Sequence, residues 1–267
     1  MRVGFISLGC SKNLVDSEMI LGLLNDNGFL IVKNIEEADL IFINTCGFIQ
    51  SAKEEAISTI FDVIRQKKAE ADVFVVGCFA QRYFDVLRAE IPEVSQFIRI
   101  SDYHQIGTII NEYYHKSLIQ EKGLRFDKRV FATPTHVGYV RIADGCNNRC
   151  SYCAIPLIRG NYRSRLIDDI VQEIMYHVEK GHREINLISQ DTTSYGQDIG
   201  VNLVSLLEKI VLIQGIELVR LLYLYPADIN DELLNFTQNN PIIAPYFDMP
   251  IQHGSDHILE KMRRRDR

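Results

Sequence analysis

The sequence predicts an α/β protein of two domains, each organised around a parallel sheet. Three observations carry that prediction. The 267 residues are enough for two domains of roughly 100–200 residues each. Short apolar runs alternate with helix-period segments in two separate series. A charged, weakly periodic stretch divides the series. Hydrophobic content of 46% and charged content of 24% are those of an ordinary folded chain and exclude extended disorder and collagen. The longest apolar runs, such as 40–43 and 73–76, are strand-sized, far short of the roughly 20 residues that span a bilayer. No membrane partner is expected.

The first series fills residues 1–115. An apolar run at 3–8 is bounded by Gly9 and reads as a strand. Met19, Ile20, Leu23 and Leu24 then mark one helix face, with Asp16 and Ser17 as candidate caps and Gly28 past its end. Residues 40–44 form a second buried-type strand, and Ile57, Ile60, Phe61 and Ile64 recur at helical spacing. Residues 73–76 make a third strand, ending at Gly77. This alternation indicates an open parallel α/β sheet of Rossmann or flavodoxin type, covered on both faces.

Residues 116–136 read as a linker. The second domain, 137–267, repeats the alternation: a strand at 137–143, a helix facing inward through Ile170, Ile174 and Val178, and a strand at 185–189. A helix around 203–213, a strand at 218–224, a short helix at 231–236, a strand at 244–249 and a helix start after Ser255 follow. Four βα units in succession favour a barrel or partial barrel over a second open sheet, although periodicity alone leaves both open. Four units do not close an eight-stranded barrel, so this domain is expected to be incomplete.

The six cysteines are too few for a disulfide scaffold of this length. The apolar stretch after Met1-Arg2 is too short for a signal-peptide core. A reducing, cytoplasmic location is therefore expected. Cys10, Cys46 and Cys78 each follow one of the first three strands. Strand carboxyl ends share one edge of a parallel sheet, where ligands bind, so the three thiols are expected to converge as ligands of an iron–sulfur cluster. Cys146, Cys150 and Cys153 form C-x3-C-x2-C after the first strand of the second domain. Three thiolates on one short loop can hold three corners of a cubane cluster and leave one iron open. Zinc is the competitor, but structural zinc takes four ligands, and no fourth Cys or His lies close by.

The loop Cys146-Asn147-Asn148-Arg149-Cys150-Ser151-Tyr152-Cys153 resembles the cluster loop of radical S-adenosylmethionine (SAM) enzymes. The segments Gly9-Cys10-Ser11-Lys12-Asn13-Leu14-Val15-Asp16-Ser17-Glu18, Asn44-Thr45-Cys46-Gly47-Phe48-Ile49 and Gly77-Cys78-Phe79-Ala80-Gln81-Arg82 resemble the N-terminal domain of methylthiotransferases. Together with Gln190-Asp191-Thr192-Thr193-Ser194-Tyr195-Gly196 they are most similar to the RimO-type branch.

The resemblance implies two 4Fe-4S clusters, one on Cys10, Cys46 and Cys78 and a SAM-binding one on Cys146, Cys150 and Cys153. It also implies a radical methylthiotransferase reaction at the β-carbon of an aspartate, with small-subunit ribosomal protein twelve as substrate. Tyr152 and Gln190 become candidate cofactor contacts, and Asp191 and His253 candidate substrate contacts. Tyr225 and Gln252 lie on the same expected rim, where barrel chemistry collects. The Gly-Gly-Glu that many radical SAM enzymes carry after the second barrel strand is replaced by Ser189-Gln190-Asp191. Arg159, Arg163 and Arg165 form a basic strip, either solvated or attracting an anion.

Family members continue through further barrel strands into a C-terminal TRAM domain. This chain stops before both, which implies a truncated barrel with the TRAM domain absent. A tRNA-adenosine methylthiotransferase is the nearest alternative, and a non-catalytic iron–sulfur or zinc protein is the alternative of another class. The net charge of −6 disfavours stable nucleic-acid binding. Electron donor and sulfur source leave no mark in the sequence.

Overall fold

A computed structural model describes residues 1–266, which divide between Ala132 and Thr133 into two compact units. The first unit runs β1 (Arg2–Ser7), α1 (Ser11–Asp26), β2 (Leu30–Ile31), β3 (Leu40–Thr45), α2 (Gln50–Gln66), β4 (Asp72–Gly77), α3 (Cys78–Glu90), β5 (Gln96–Ile98) and α4 (Ile106–Tyr114). Its five strands lie in the order β2-β1-β3-β4-β5, all parallel. This is the flavodoxin-like order, in which strand succession reverses beside β1.

Alternate residues of each strand face opposite layers. Leu40, Phe42, Phe74 and Val76 pack with Ile20, Leu24, Ile106 and Ile110 of α1 and α4. Ile41, Ile43, Val73 and Val75 pack with Ala56, Ile60, Val63 and Leu87 of α2 and α3. Every residue of β3 is buried, and each of its aliphatic side chains contributes about 1.5–3 kcal/mol by leaving water.

Two sequence expectations for this unit change. Helix α1 begins at Ser11, directly after Cys10, so Asp16 and Ser17 are buried inside it and do not cap it. A row of buried polar residues, Asn13, Asp16 and Ser17, interrupts the apolar periodicity and disguises the first turns. Residues 116–132 are also packed onto the first unit rather than strung between units. Ile119 joins its core, the Val130 amide donates to the Glu18 carbonyl at 3.1 Å, and the Ala132 amide donates to Glu18 Oε1 at 2.8 Å. Arg129 pairs with the Glu18 carboxylate, both side chains being buried.

The second unit contains β6 (Val137–Arg141), β7 (Ala143–Asp144), α5 (Ile155–Arg159), β8 (Arg163–Ser164), α6 (Ile167–Glu179), β9 (Glu184–Ile188), α7 (Leu203–Ile210), β10 (Leu218–Leu221), α8 (Asp231–Asn239), β11 (Ile243–Phe247) and α9 (Asp256–Lys261). Its main sheet has the order β11-β10-β9-β6, all parallel. Each new strand is added beside its predecessor in one direction, as in a barrel wall, and the strand order never reverses as it does in the first unit. Ile170, Ile174, Leu206, Leu207 and Ile210 of α6 and α7 cover it together with Ile185, Leu187 and Val219. The expected strand at 137–143 is divided, because β7 leaves the sheet to pair antiparallel with β8. Among the described residues no helix is long and apolar enough to cross a membrane.

Removing one member of a buried ion pair leaves the other charge uncompensated, at a cost of about 3–5 kcal/mol. Glu18→Gln is therefore expected to lower the stability of the first unit by about that amount in urea unfolding. A loss below about 1 kcal/mol, the value of an exposed pair, would contradict it.

Candidate functional site

The first candidate site is built on strand register. Ser7 of β1 pairs with Asn44 of β3, and Asn44 pairs with Val76 of β4. Cys46 and Cys78 therefore stand the same number of residues beyond this line, and Cys10 one residue further. A glycine adjoins each cysteine and lets the loops touch. A Cβ on Gly9, which sits at φ +90°, would lie 2.8 Å from Cys46 Cβ and 3.4 Å from its Sγ. One on Gly47 would lie 2.8 Å from Phe79 Cα, and one on Gly77 2.5 Å from the Thr45 carbonyl oxygen. Side chains at these positions would force the three cysteine loops apart.

Buried polar groups lock the loops together. Asn13 Nδ2 donates to the carbonyls of Leu8 at 3.2 Å and Thr45 at 3.1 Å, and Asn13 Oδ1 accepts from Cys78 Sγ at 3.3 Å. Asn44 Nδ2 donates to the Asn13 carbonyl at 2.8 Å and to Ser17 Oγ at 2.9 Å. Asn44 Oδ1 is buried without a hydrogen-bond partner among the described residues. The thiols grade from exposed Cys10 through partly buried Cys46 to buried Cys78. Cys10 occupies the N-cap of α1 and Cys78 opens α3. Two helix N-termini thus direct partial positive charge at whatever anionic group the thiols hold.

The second candidate site is the loop after β7. Its ends are tied by the Cys146 amide donating to the Gly160 carbonyl at 3.1 Å and the Cys153 amide to the Cys150 carbonyl at 3.0 Å. Asn147 Oδ1 accepts from the Tyr162 amide at 3.1 Å, and Asn148 Nδ2 donates to Asp191 Oδ2 at 2.6 Å. Burial pushes the Cys146 thiol up to about 11; the Asn148 backbone amide opposes the shift, while Asp191, Cys153 and Cys150 add to it. Burial also raises the Cys153 thiol, against the Ile155 amide. Cys146 and Cys153, whose ionisation burial disfavours, need a strongly positive ligand to become thiolates together, and iron would supply that charge.

An all-sulfur donor set in threes suits an iron–sulfur cluster at each site. Among the described residues no three His, Cys, Asp or Glu side chains are gathered as for a single metal ion. Corners of a cubane make a different demand, since each thiolate binds its own iron.

The remaining expected residues fall into different settings. Gln190 follows β9, and both its amide atoms are buried without a hydrogen-bond partner among the described residues. Asp191 is spent internally: besides Asn148, its carboxylate accepts from Thr193 Oγ1 at 2.7 Å and Ser194 Oγ at 2.8 Å. Tyr152 is 46% exposed, and its hydroxyl accepts from Arg264 at 3.3 Å. His253 is an exposed loop residue whose Nδ1 accepts from the Ser255 amide at 3.0 Å, just ahead of α9. Tyr225 is buried beneath Arg264, whose guanidinium carbon lies 4.4 Å from its ring centre.

Of the basic strip, Arg159 faces Asp144 at 3.3 Å and Arg165 pairs with buried Glu173. Those two charges are neutralised inside the unit and do not form a free anion-binding strip. Sequence reasoning passes over Asn13, Asn148 and Tyr162. A buried asparagine in the first turns of a helix, where its propensity is poor, is the available signal for Asn13. A pocket of about 400 Å3 is lined by Asn147, Asn148, Tyr162, Ser194 and Arg265, among others, so the cysteine loop borders space for a small polar ligand.

A thiol held near pH 11 reacts only through its scarce thiolate at lower pH. In metal-free protein, alkylation of Cys146 by iodoacetamide is expected to quicken about tenfold per pH unit through about pH 10. A rate that levels off at about pH 8.5, the ordinary thiol value, would contradict this.

Two family models match separate parts of the chain. Residues 2–99 match the family described as "Uncharacterized protein family UPF0004", and residues 140–267 match the radical SAM superfamily. The chain is 45% identical to the ribosomal protein uS12 methylthiotransferase RimO of Acetivibrio thermocellus, across 99% of this chain and 62% of the relative. It is 47% identical to the RimO of Alkaliphilus oremlandii, across 99% and 61%, and 44% identical to that of Aquifex aeolicus, across 99% and 59%. The chain thus spans about three-fifths of the length of these curated relatives.

Among solved structures, it superposes on the radical SAM methyltransferase TsrM from Kitasatospora setae with a TM-score of 0.64 at 14% identity, over 97% of this chain and 62% of that one. The cobalamin-dependent SAM radical enzyme OxsB gives 0.62 at 10% identity, over 98% and 45%. These two likenesses concern fold. With two domain matches in sequence and RimO relatives along its whole length, the chain belongs to the radical SAM methylthiotransferase family, of RimO type.

Proposed function

We propose that this chain carries two four-iron clusters, one on Cys10, Cys46 and Cys78 and one on Cys146, Cys150 and Cys153, and that it methylthiolates an aspartate β-carbon of ribosomal protein uS12. The observation that carries the reading is identity of 44–47% to RimO proteins across 99% of the chain, with both cysteine triads set at strand ends. A reduced cluster with SAM at its open iron would supply the electron for carbon–sulfur cleavage and so the radical that abstracts hydrogen.

The chain's own residues do the rest. Asn147 and Asn148 hold the loop of the second triad against Tyr162 and Asp191. On this reading Asp191 serves the site by orienting Asn148, since its carboxylate is already fully engaged. Gln190 is the better candidate for touching SAM. A buried amide left unpaired costs about 1–3 kcal/mol for each missing partner, and a polar ligand group would offset that cost. Tyr152 and His253 remain candidate contacts, the former beside Cys153 and the latter on the loop before α9. The relatives are named for uS12, and the net charge of −6 disfavours a tRNA substrate.

Anaerobic reconstitution is expected to bind about eight irons per chain, the content of two cubanes, and to form 5′-deoxyadenosine from SAM under reduction. Cys10→Ala and Cys150→Ala should each remove about half of the iron, with only Cys150→Ala abolishing SAM cleavage. Bound zinc without SAM cleavage would sink the enzyme reading. For the substrate, mass spectrometry of uS12 and of digested tRNA from a deletion strain decides. Loss of the tRNA mark with the uS12 mark intact would reverse the assignment.

A further inference from the structure

Asn13 is fully buried, yet its amide reaches out of its own helix. Nδ2 donates to Leu8 at 3.2 Å, two residues before Cys10, and to Thr45 at 3.1 Å, one residue before Cys46. Oδ1 meets Cys78 Sγ itself at 3.3 Å. One planar amide thereby reaches all three cysteine-bearing loops, which belong to three different strands. Its backbone carbonyl accepts from Asn44 Nδ2 at 2.8 Å and from Ser17 Oγ at 2.9 Å, so the side chain's own anchor is fixed as well. An asparagine kept only to fill the core would need no such partners, and an apolar residue would cost less to bury.

We propose that Asn13 is the positioning residue of the Cys10/Cys46/Cys78 site, its single amide setting the spacing of the three sulfurs. The proposal rests on the reading that these cysteines hold a cluster. Asn13 itself is not a ligand. It acts through the loops, much as outer-shell partners fix metal ligands and typically change metal affinity by about 10–100-fold when removed. Its two N–H donors tie the Leu8 and Thr45 carbonyls whether or not iron is bound, whereas the Cys78 contact is a hydrogen bond only while that sulfur is a thiol, and no apolar residue supplies those two donors. Aspartate keeps the shape but loses both donors, and it adds negative charge beside three thiolates.

The test uses the full chain carrying Cys146→Ala, Cys150→Ala and Cys153→Ala, in which only the first triad can load iron. Within it, Asn13 is compared with Asn13→Asp and Asn13→Ser. Expected are roughly tenfold to hundredfold faster iron loss to a chelator, an altered electron paramagnetic resonance signal, and for Asn13→Asp a lower reduction potential. In parallel, Asn13→Ser is placed in a Cys10→Ala chain with the second triad intact, where iron content should not change. Iron retention, resonance and potential that all match the parent would overturn the role of Asn13 while leaving the cluster reading in place. A parent that takes up no iron would overturn the cluster reading, and this proposal with it. If both Asn13 variants unfold by circular dichroism, the residue belongs to the core and the proposal falls.

Discussion

Hydrogen bonding β1, β3 and β4 in parallel brings their carboxyl ends to one edge, and the chain must then turn into a helix after each strand. At that turn the ladder has ended, and the backbone groups of three separate loops compete for the same small volume. Glycine beside every cysteine lets those backbones meet, and a buried asparagine amide satisfies the groups that the ladder no longer reaches. Chemistry at the edge is inherited from this packing. A slip of one residue in β3 would exchange the side chains that face its two buried layers and move Cys46 away from Gly9.

The second unit solves the corresponding problem differently. Its three thiols come from one loop, so chain connectivity brings them close without any sheet register. What must be fixed is the loop's shape. Asparagine anchors on either side, at Tyr162 and Asp191, do this, and burial pushes the Cys146 and Cys153 thiols above the ordinary range. The two triads are therefore sensitive to different faults: the first to errors in strand register, the second to local loop substitutions.

Much of this is legible in the sequence, because strand ends and cysteines are both local signals. The runs at 40–44 and 73–76 read as buried strands, and β3 and β4 lie there. What escapes depends on partners distant in the chain. The start of α1 is hidden by its buried polar row, which follows no hydrophobic period. Arg159 and Arg165 read as a free basic strip until the fold sets Asp144 and Glu173 beside them. Asp191 reads as a substrate contact, and only the fold reveals how many hydroxyl and amide groups already use it. Residues 116–132 read as a linker because a strap held by a few buried side chains carries little periodic signal.

That strap changes where the first unit can be divided from its neighbour. Glu18 lies in the helix that follows Cys10, whereas its partners Arg129 and Ala132 come more than a hundred residues later. A module cut where composition shifts, at residue 115, would contain every thiol of the first triad but would leave a buried carboxylate without its countercharge. The compact unit that contains the three cysteine loops together with both partners of Glu18 closes at residue 132.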